Sequence, residues 1–527
     1  MKRISILCLF ILMFLNYSIH SFTQVSQQWT SRYSFSGNSM DGGSKVVLDN
    51  SNNIYVSGPS FGSGTDYDYV TIKYSSTGKE VWVRRYTGNG PDIPSDMIID
   101  NAGNIYVTGR SDYSPERKDF VTIKYNPEGV QMWVSRYTCI GYETFPTSME
   151  TDNLNNIYIT GKNDNYFTTL KYDSNGNIVW ISDYPAPFSR DVPWDIVVDN
   201  YYNVYVTGGC NSDAITIKYN AIGIQEWVSI YAGKVLDQDF NNSIGIDSSN
   251  NIYVSGSSVE IPGTYGGYLT IKYNSSGIQQ WVRFYSGTAN FFHISKAMNV
   301  DKFGNVYVTG YSTESGQGYN FTTIKYNTNG DTLWKASYHN GSNDIASDIK
   351  IDNLGNVYVT GRSDGNGTGD DFVTIKYDKF GIQQWIKSYD YSGTYGDFGR
   401  SIAIDKNYNV LVTGNSNRDI FTIKYSQLTG TSTIFSEIPT HYSLSQNYPN
   451  PFNPKTILNY QCAIYNDVSL KVFDVLGNEV ASLINEKQNA GSYSVEFDGS
   501  GFSSGIYFYS LYIDGSLFKT KRMVLLK

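Results

Sequence analysis

Three aspartates carry the clearest hint of chemistry in this sequence. Asp96, Asp195 and Asp348 each stand four residues before an aspartate that closes a short apolar run, namely Asp100, Asp199 and Asp352. The matching positions elsewhere hold Lys45, Ser148, Ser243, Ala297 and Ser401, so the carboxylates depart from a shared pattern. Glycoside hydrolysis needs such carboxylates in pairs, one as acid and one as base or nucleophile. If the runs line a central channel, the three gather near its mouth, where solvated acids with no catalytic task are the simpler expectation. Aromatic residues offer a different chemistry. Trp194 in Ser189–Asp195 (SRDVPWD) is read as part of a variable loop, and Phe291-Phe292-His293 takes the same loop position two repeats on. An aromatic ring there can stack on a sugar or peptide, or wedge its own loop against the scaffold. Nucleophilic catalysis has little support: beyond the first residues only His293, His339 and His441 remain, with no nucleophile elbow and no HExxH. Cys139, Cys210 and Cys462 are too far apart for a disulfide framework or a metal pair. Buried thiols or one incidental bridge are expected, with no metal and no cofactor.

The elements that would position these residues are repeated. In Asp119–Tyr137 (DFVTIKYNPEGVQMWVSRY), Tyr125, Gly129, Trp133 and Tyr137 follow one another at intervals of four. The same ladder begins at Tyr74, Tyr172, Tyr219, Tyr273, Tyr326 and Tyr377, giving seven full copies. A period near fifty residues signals a propeller, solenoid or array. Each copy holds four strand candidates, here Ser95–Asp100 (a), Ile105–Gly109 (b), Asp119–Tyr125 (c) and Val130–Tyr137 (d). The a–b and c–d connections have the Asn/Asp/Gly chemistry of hairpin turns. Four-stranded antiparallel units repeated about an axis are propeller blades. Strand b ends in Gly eight times, from Gly58 to Gly414, and the strand-c lysine recurs eight times, from Lys73 to Lys424. No Trp follows Lys424, but Gln27-Gln28-Trp29 supplies an orphan d strand at the other end of the chain. The expectation is an all-β, eight-bladed β-propeller closed by an N-terminal strand, followed by a small β-sandwich. The Asp residues that end the a strands, Asp49 to Asp405, are read as hairpin-turn residues without calcium. The strand-c lysines are expected to pair with them. Variation concentrates in the b–c and d–a loops, such as Tyr311–Asn320, Arg362–Asp370, Thr138–Pro146 and Pro185–Pro193, all on one rim.

Composition agrees with many short strands: 527 residues, 17% charged, 15% aromatic, with 46 Tyr and 49 Gly. The formal net charge of −9 disfavours a nucleic-acid partner. Lys2 and Arg3 before the apolar run Ile4–Leu15 read as a signal peptide over residues 1–23, the run being too short for a membrane span. No transmembrane segment is expected in the mature chain. The propeller is placed at 24–426, a Thr/Ser linker at 427–441 and a second domain at 442–527.

Two resemblances follow from particular motifs. The stretches Asp100–Gly109 (DNAGNIYVTG), Asp301–Gly310 (DKFGNVYVTG) and Asp352–Gly361 (DNLGNVYVTG) resemble the bacterial β-propeller repeat family, over roughly residues 27 to 426. That implies a fold and little about activity. At the other end stand Asn447-Tyr448-Pro449-Asn450-Pro451-Phe452, Val472–Gly477 (VFDVLG) and Gly505-Ile506-Tyr507, then a basic-apolar end with Lys521 and Arg522. This stretch closely resembles the type A C-terminal sorting domain of the type IX secretion system. The resemblance implies export, contact with the outer-membrane secretion machinery, and release or attachment at the cell surface. Asn447, Pro449, Asn450, Pro451, Phe452, Gly505, Tyr507, Lys521 and Arg522 are its implied sorting residues. The functional expectation is a secreted or cell-surface propeller that binds or adheres without catalysis, with a glycan or protein ligand on the variable rim. A polysaccharide-active enzyme using Asp96, Asp195 and Asp348 is the alternative, and a structural surface-layer component the third.

Overall fold

The computed structural model describes residues 24–35, 40–62, 66–114, 117–139, 143–234, 239–260, 266–289, 291–314, 316–365, 369–391, 395–428, 442–447, 449–463, 466–488 and 491–527. The expected signal segment, His441 and Tyr448 lie outside them. The described residues are all-β, and the chain divides into two compact units at Leu428. The last strand of the first unit, Asp419–Leu428, runs slightly past the expected boundary at 426.

The first unit holds eight four-stranded antiparallel sheets among the described residues. Their first strands are Lys45–Leu48, Asp92–Ile99, Thr144–Thr151, Val192–Val198, Phe240–Ile246, Ile294–Val300, Asp344–Ile351 and Asp397–Ile404, and the sheets are numbered in that order. Within sheets one to seven the strands run a-b-c-d. In the eighth, Gln24–Tyr33 pairs with Asp419–Leu428, and Trp29 faces Lys424 as Trp82 faces Lys73. First strands of consecutive sheets pack together, and Lys45–Leu48 packs against Asp397–Ile404.

Each b strand is apolar on both faces because neighbouring sheets cover both. Ile105, Tyr106 and Val107 are fully buried, each apolar side chain of this kind contributing roughly 1.5–3 kcal/mol. The buried clusters cross from sheet to sheet. Tyr106 and Phe120 of sheet two pack with Met149, Ile157 and Tyr172 of sheet three. Val46 and Ile54 of sheet one pack with Leu411 and Ile420 of sheet eight, beside Trp29.

The Tyr-Gly-Trp ladder is an inter-sheet joint. Gly129 turns strand c into strand d with φ +79°, a conformation that disfavours any side chain. A Cβ on it would also lie 2.7 Å from the Trp82 indole of the preceding sheet. That indole donates its Nε1–H to Pro127 O of the same turn at 3.2 Å. Trp29 does the same from sheet eight to sheet one, donating to Ser76 O at 3.4 Å beneath Gly78.

Several expectations about loops change, and in Tyr311–Asn320 the strands pair out to Thr313 opposite Tyr319. The stretch Arg362–Asp370 is largely hairpin, because Val357–Gly365 and Gly369–Tyr377 pair out to Gly365 opposite Gly369. Trp194 is not in a loop either. It belongs to Val192–Val198, at a break in register between Pro193 and Asp195. The same bulge recurs in sheets two to eight and inserts Ser95, Thr147, Trp194, Asn242, Lys296, Ser347 and Arg400.

The second unit is a sandwich of two sheets. Ser443–Leu444, Lys455–Cys462 and Gly491–Asp498 form one, and Glu479–Gln488, Asn466–Phe473, Gly505–Ile513 and Ser516–Leu525 the other. Leu458, Val468, Leu470, Tyr509 and Met523 are among the residues that fill its core. Cys139, Cys210 and Cys462 are free, buried thiols.

Candidate functional site

Asp96, Asp195 and Asp348 sit just past the bulge of their first strands. Asp96 accepts from its neighbour Met97 N–H at 2.9 Å and from Met149 N–H of the next sheet at 3.0 Å. Asp195 accepts from Ile196 N–H at 2.9 Å, Ser148 Oγ at 2.9 Å and Ile244 N–H of the next sheet at 3.0 Å. Asp348 accepts from Ile349 N–H at 2.8 Å and Ile402 N–H of the next sheet at 3.0 Å. The first strand of a sheet is an edge, and its outward amides need acceptors. These carboxylates supply them, stapling sheet two to three, four to five and seven to eight. Ser401 Oγ does the same for Val46 N–H, from sheet eight to sheet one, at 3.4 Å.

The three carboxylates share one electrostatic neighbourhood. Lys45 Nζ lies 2.8 Å from Asp96, and its side chain keeps 38% of its surface open. Asp96 above all, then Asp348 and Asp195, hold the Lys45 ammonium above its ordinary value against the desolvation that opposes them. Desolvation raises Asp195, offset by the donors from Ile244, Ser148 and Ile196.

A fourth carboxylate in this neighbourhood escaped the sequence reading. Glu150 stands two residues beyond Ser148 in a layer otherwise made of Val47, Ile98, Val197, Gly245, Asn299, Lys350 and Ala403. Burial, with Asp96 and Asp195 adding repulsion, pushes its carboxyl up to about 7, while Thr151 N–H and Lys45 pull the other way. The signal was available as a charge where most repeats are apolar.

The bulge layer is more open than the staples. Trp194 is 44% exposed. Lys296 and Arg400 are exposed in sheets six and eight. Lys296 Nζ lies 5.8 Å from the centroid of the Tyr311 ring. Between them, Arg362 of sheet seven reaches over the Phe398 ring at 5.2 Å and pairs with Asp370 at 3.0 Å. Sequence reasoning overlooked the two cations because a bulge position is visible only once the register is known.

Phe291 and Phe292, 55% and 43% exposed, stay in the loop before Ile294–Val300. His293 has a different place from that expected of a ligand contact. It is buried, its Nδ1 accepts from Thr313 N–H at 3.0 Å, and Nε2 lies 3.1 Å from Ala289 O. Asp191 does the equivalent work in sheet four, accepting from Phe188 N–H at 3.1 Å and Asn211 N–H at 2.9 Å. The imidazole thus latches its loop, and desolvation lowers its pKa so that the acceptor form persists.

The recurrent Asp and Lys residues serve the turns. Asp100 accepts from Ala102 N–H, Asn104 N–H, the Asn104 side chain and Tyr106 OH at 2.8–3.0 Å. The strand-c lysines do not generally pair with these aspartates as expected. Lys73 donates to Pro127 O of the next sheet at 2.8 Å and lies over the Tyr55 ring, whereas Lys424 pairs with Asp405 at 3.1 Å. A cleft of about 530 Å³ between sheets five and six is lined by Lys272, Trp281, Arg283 and Thr328. Its donors are committed to turn carbonyls, Lys272 and Trp281 to Thr328 O and Arg283 to Gly330 O.

In the second unit the implied sorting residues meet at the last strand. Asn447 donates its N–H to Tyr509 OH and its side-chain amide to Pro449 O and Thr456 Oγ1. Asn450 Oδ1 accepts from Val524 N–H at 2.9 Å, and Phe452 N–H donates to Val524 O at 2.9 Å. Pro451 follows Asn450 through a cis bond, and the Phe452 ring is buried in the core. Tyr507 donates to Ser503 O at 2.9 Å, two residues before the strand that opens at Gly505. Lys521 and Arg522 lie on Ser516–Leu525, Arg522 exposed with its carbonyl accepting from Gln446. The motif is therefore a clasp that fastens the start of the unit to its final strand.

Comparison with known families agrees with both halves of this picture. Residues 446–526 match the secretion system C-terminal sorting domain, and residues 81–113 match a β-propeller repeat. The chain thus carries a β-propeller repeat and a type IX sorting tail, and the tail marks a secreted or cell-surface protein that engages the secretion machinery. No curated protein matches it in sequence. Among solved structures it is similar to a fungal alcohol oxidase of the AA5 family in complex with copper, at 11% identity over 95% of this chain and 99% of that one, TM-score 0.40. A putative 6-phosphogluconolactonase from Bacteroides uniformis matches at 10% identity over 67% and 95%, TM-score 0.40. Drosophila Semaphorin 2a matches at 8% identity over 82% and 96%, TM-score 0.40. Nothing about this chain's activity follows from likenesses so distant. Among the described residues no helix is long and apolar enough to cross a membrane, which leaves membrane β-barrels unaddressed.

Proposed function

We propose that the first unit is a closed eight-bladed propeller with a central channel, and that it is a non-enzymatic binding or adhesion scaffold delivered by its sorting tail. Eight sheets in sequential contact, with Lys45–Leu48 against Asp397–Ile404 and Trp29 under Gly78, support the closed ring. One observation carries the binding reading. At the inner strands the carboxylates are occupied as staples, while Trp194 is left open at a bulge. An acceptor holding two or three donors is poorly placed to deliver a proton.

The test is a panel of cell-wall and host glycans, scored for both binding and turnover. Binding that falls on Trp194→Ala, without turnover, is the expected result. Turnover that vanishes in Asp96→Asn, Asp195→Asn or Asp348→Asn variants that still fold would overturn it. Glu150 alone favours the alternative, polysaccharide-active reading, since a carboxyl near 7 suits a general acid. On that reading Glu150→Gln abolishes turnover on the same panel.

A further inference from the structure

The bulge layer is not uniform in charge. Four of its seven inserted residues are small or neutral polar, namely Ser95, Thr147, Asn242 and Ser347. Thr147 Oγ1 donates to Pro193 O at 2.7 Å and the Asn242 amide donates to Ser295 O, so these two are committed to the next sheet. The remaining three are Trp194, Lys296 and Arg400. Among the described residues neither the Lys296 ammonium nor the Arg400 guanidinium forms a hydrogen bond or an ion pair. Arg362 enters between them from sheet seven, braced by Asp370 and the Phe398 ring. The three cations feel one another. Desolvation first, then Arg362 and Arg400, holds Lys296 below its ordinary value, and desolvation with Arg362 lowers Arg400.

A chain with a net charge of −9 has thus gathered three cations from three consecutive sheets, with one carboxylate pairing Arg362. Like charges held together and partly desolvated are unfavourable without a counter-charge. Neither the Lys296 nor the Arg400 side chain serves the fold by a bond of its own, unlike strand-c lysines such as Lys73 and Lys272, which donate to turn carbonyls. The Tyr311 ring beneath Lys296 and the Phe398 ring beneath Arg362 leave the cationic heads presented from flat apolar supports.

We infer that Lys296, Arg362 and Arg400 form an anion-binding subsite of the inner face, and that its ligand is an acidic saccharide bearing uronate carboxylates or sulfate esters. The guanidinium groups match planar carboxylate or sulfate oxygens with forked donors, and Lys296 adds a point charge. Trp194, open in the same bulge layer two sheets before Lys296, offers the pyranose face a stacking partner. This inference rests on the binding reading and names its ligand class.

The experiment titrates the full chain with oligogalacturonate, a sulfated galactan oligosaccharide, a neutral cello-oligosaccharide and poly-glutamate. Preference for one or both acidic saccharides is expected, with affinity falling as salt rises. The double variant Lys296→Gln/Arg400→Gln should lose about tenfold or more in affinity, and Lys296→Arg/Arg400→Lys should restore most of it. Unchanged melting of both variants keeps the readout on binding. Equal affinity of the double variant and wild type for the acidic saccharides overturns the subsite while leaving the binding reading in place. Equal binding of poly-glutamate overturns the saccharide assignment. Binding of no saccharide, here or on the wider glycan panel, overturns both.

Discussion

At the scale of single residues, the first strands of the sheets show how environment separates groups of the same type. Asp96, Asp195 and Asp348 gain amide donors, whereas Glu150, one layer further on, gains one amide and two carboxylate neighbours. A carboxyl pushed from 4.5 up to about 7 destabilises the fold when it ionises. Its contribution is fully present below about pH 4.5 and is lost as pH rises through about 7. Glu150→Gln is therefore expected to match wild type at pH 4 and exceed it at pH 8 by about 1–2 kcal/mol, once solvent screening is allowed for. Chemical denaturation across that range measures it. An unchanged slope would show that Glu150 ionises freely.

At the scale of elements, the unit of construction is the joint between a turn and the Trp of the sheet before it. Gly223 has φ +83°, and a Cβ there would meet the Trp180 indole at 2.6 Å. Gly223→Val combines left-handed strain with a clash, so a loss of about 2–3 kcal/mol is expected in thermal melts. The ladder was fully legible in the sequence because it recurs, and recurrence is what a joint used in every sheet must produce. The bulge was not legible. It displaces one residue relative to its partner strand, which leaves no mark on composition or period. Trp194 was consequently read as a loop residue, and Lys296 and Arg400 were passed over. His293 looked like a ligand contact because it is rare in this sequence, but its neutral ring replaces a recurrent buried acceptor such as Asp191.

At the scale of the first unit, its first and last described strands meet within one sheet. Gln24–Tyr33 completes the sheet of Asp397–Ile404, Val410–Ser416 and Asp419–Leu428. Removing residues 24–33 exposes the edge of Asp419–Leu428 and takes Trp29 away from Gly78. The truncated chain is expected to melt earlier and to self-associate through the bared edge, as light scattering would show. If the truncated chain stays monomeric and as stable as the full one, the closed-ring proposal fails. The second unit follows the same economy with a different device: Asn450 and Phe452 tie its start to Val524 and Leu525 near its end.

The sequence by itself determined the strands, the turns, the repeat and the sorting tail. Each is written in local spacing: alternation along a strand, Asn/Asp/Gly at a turn, and motifs that stand in order along a few residues. Only the tertiary structure decided which side chains face each other across sheets. Asp96 and Met149 are 53 residues apart in the chain and one hydrogen bond apart in the fold. Electrostatic neighbourhoods such as those of Glu150 and Arg400 arise from that packing, because charge acts through distance in space and not through position along the chain.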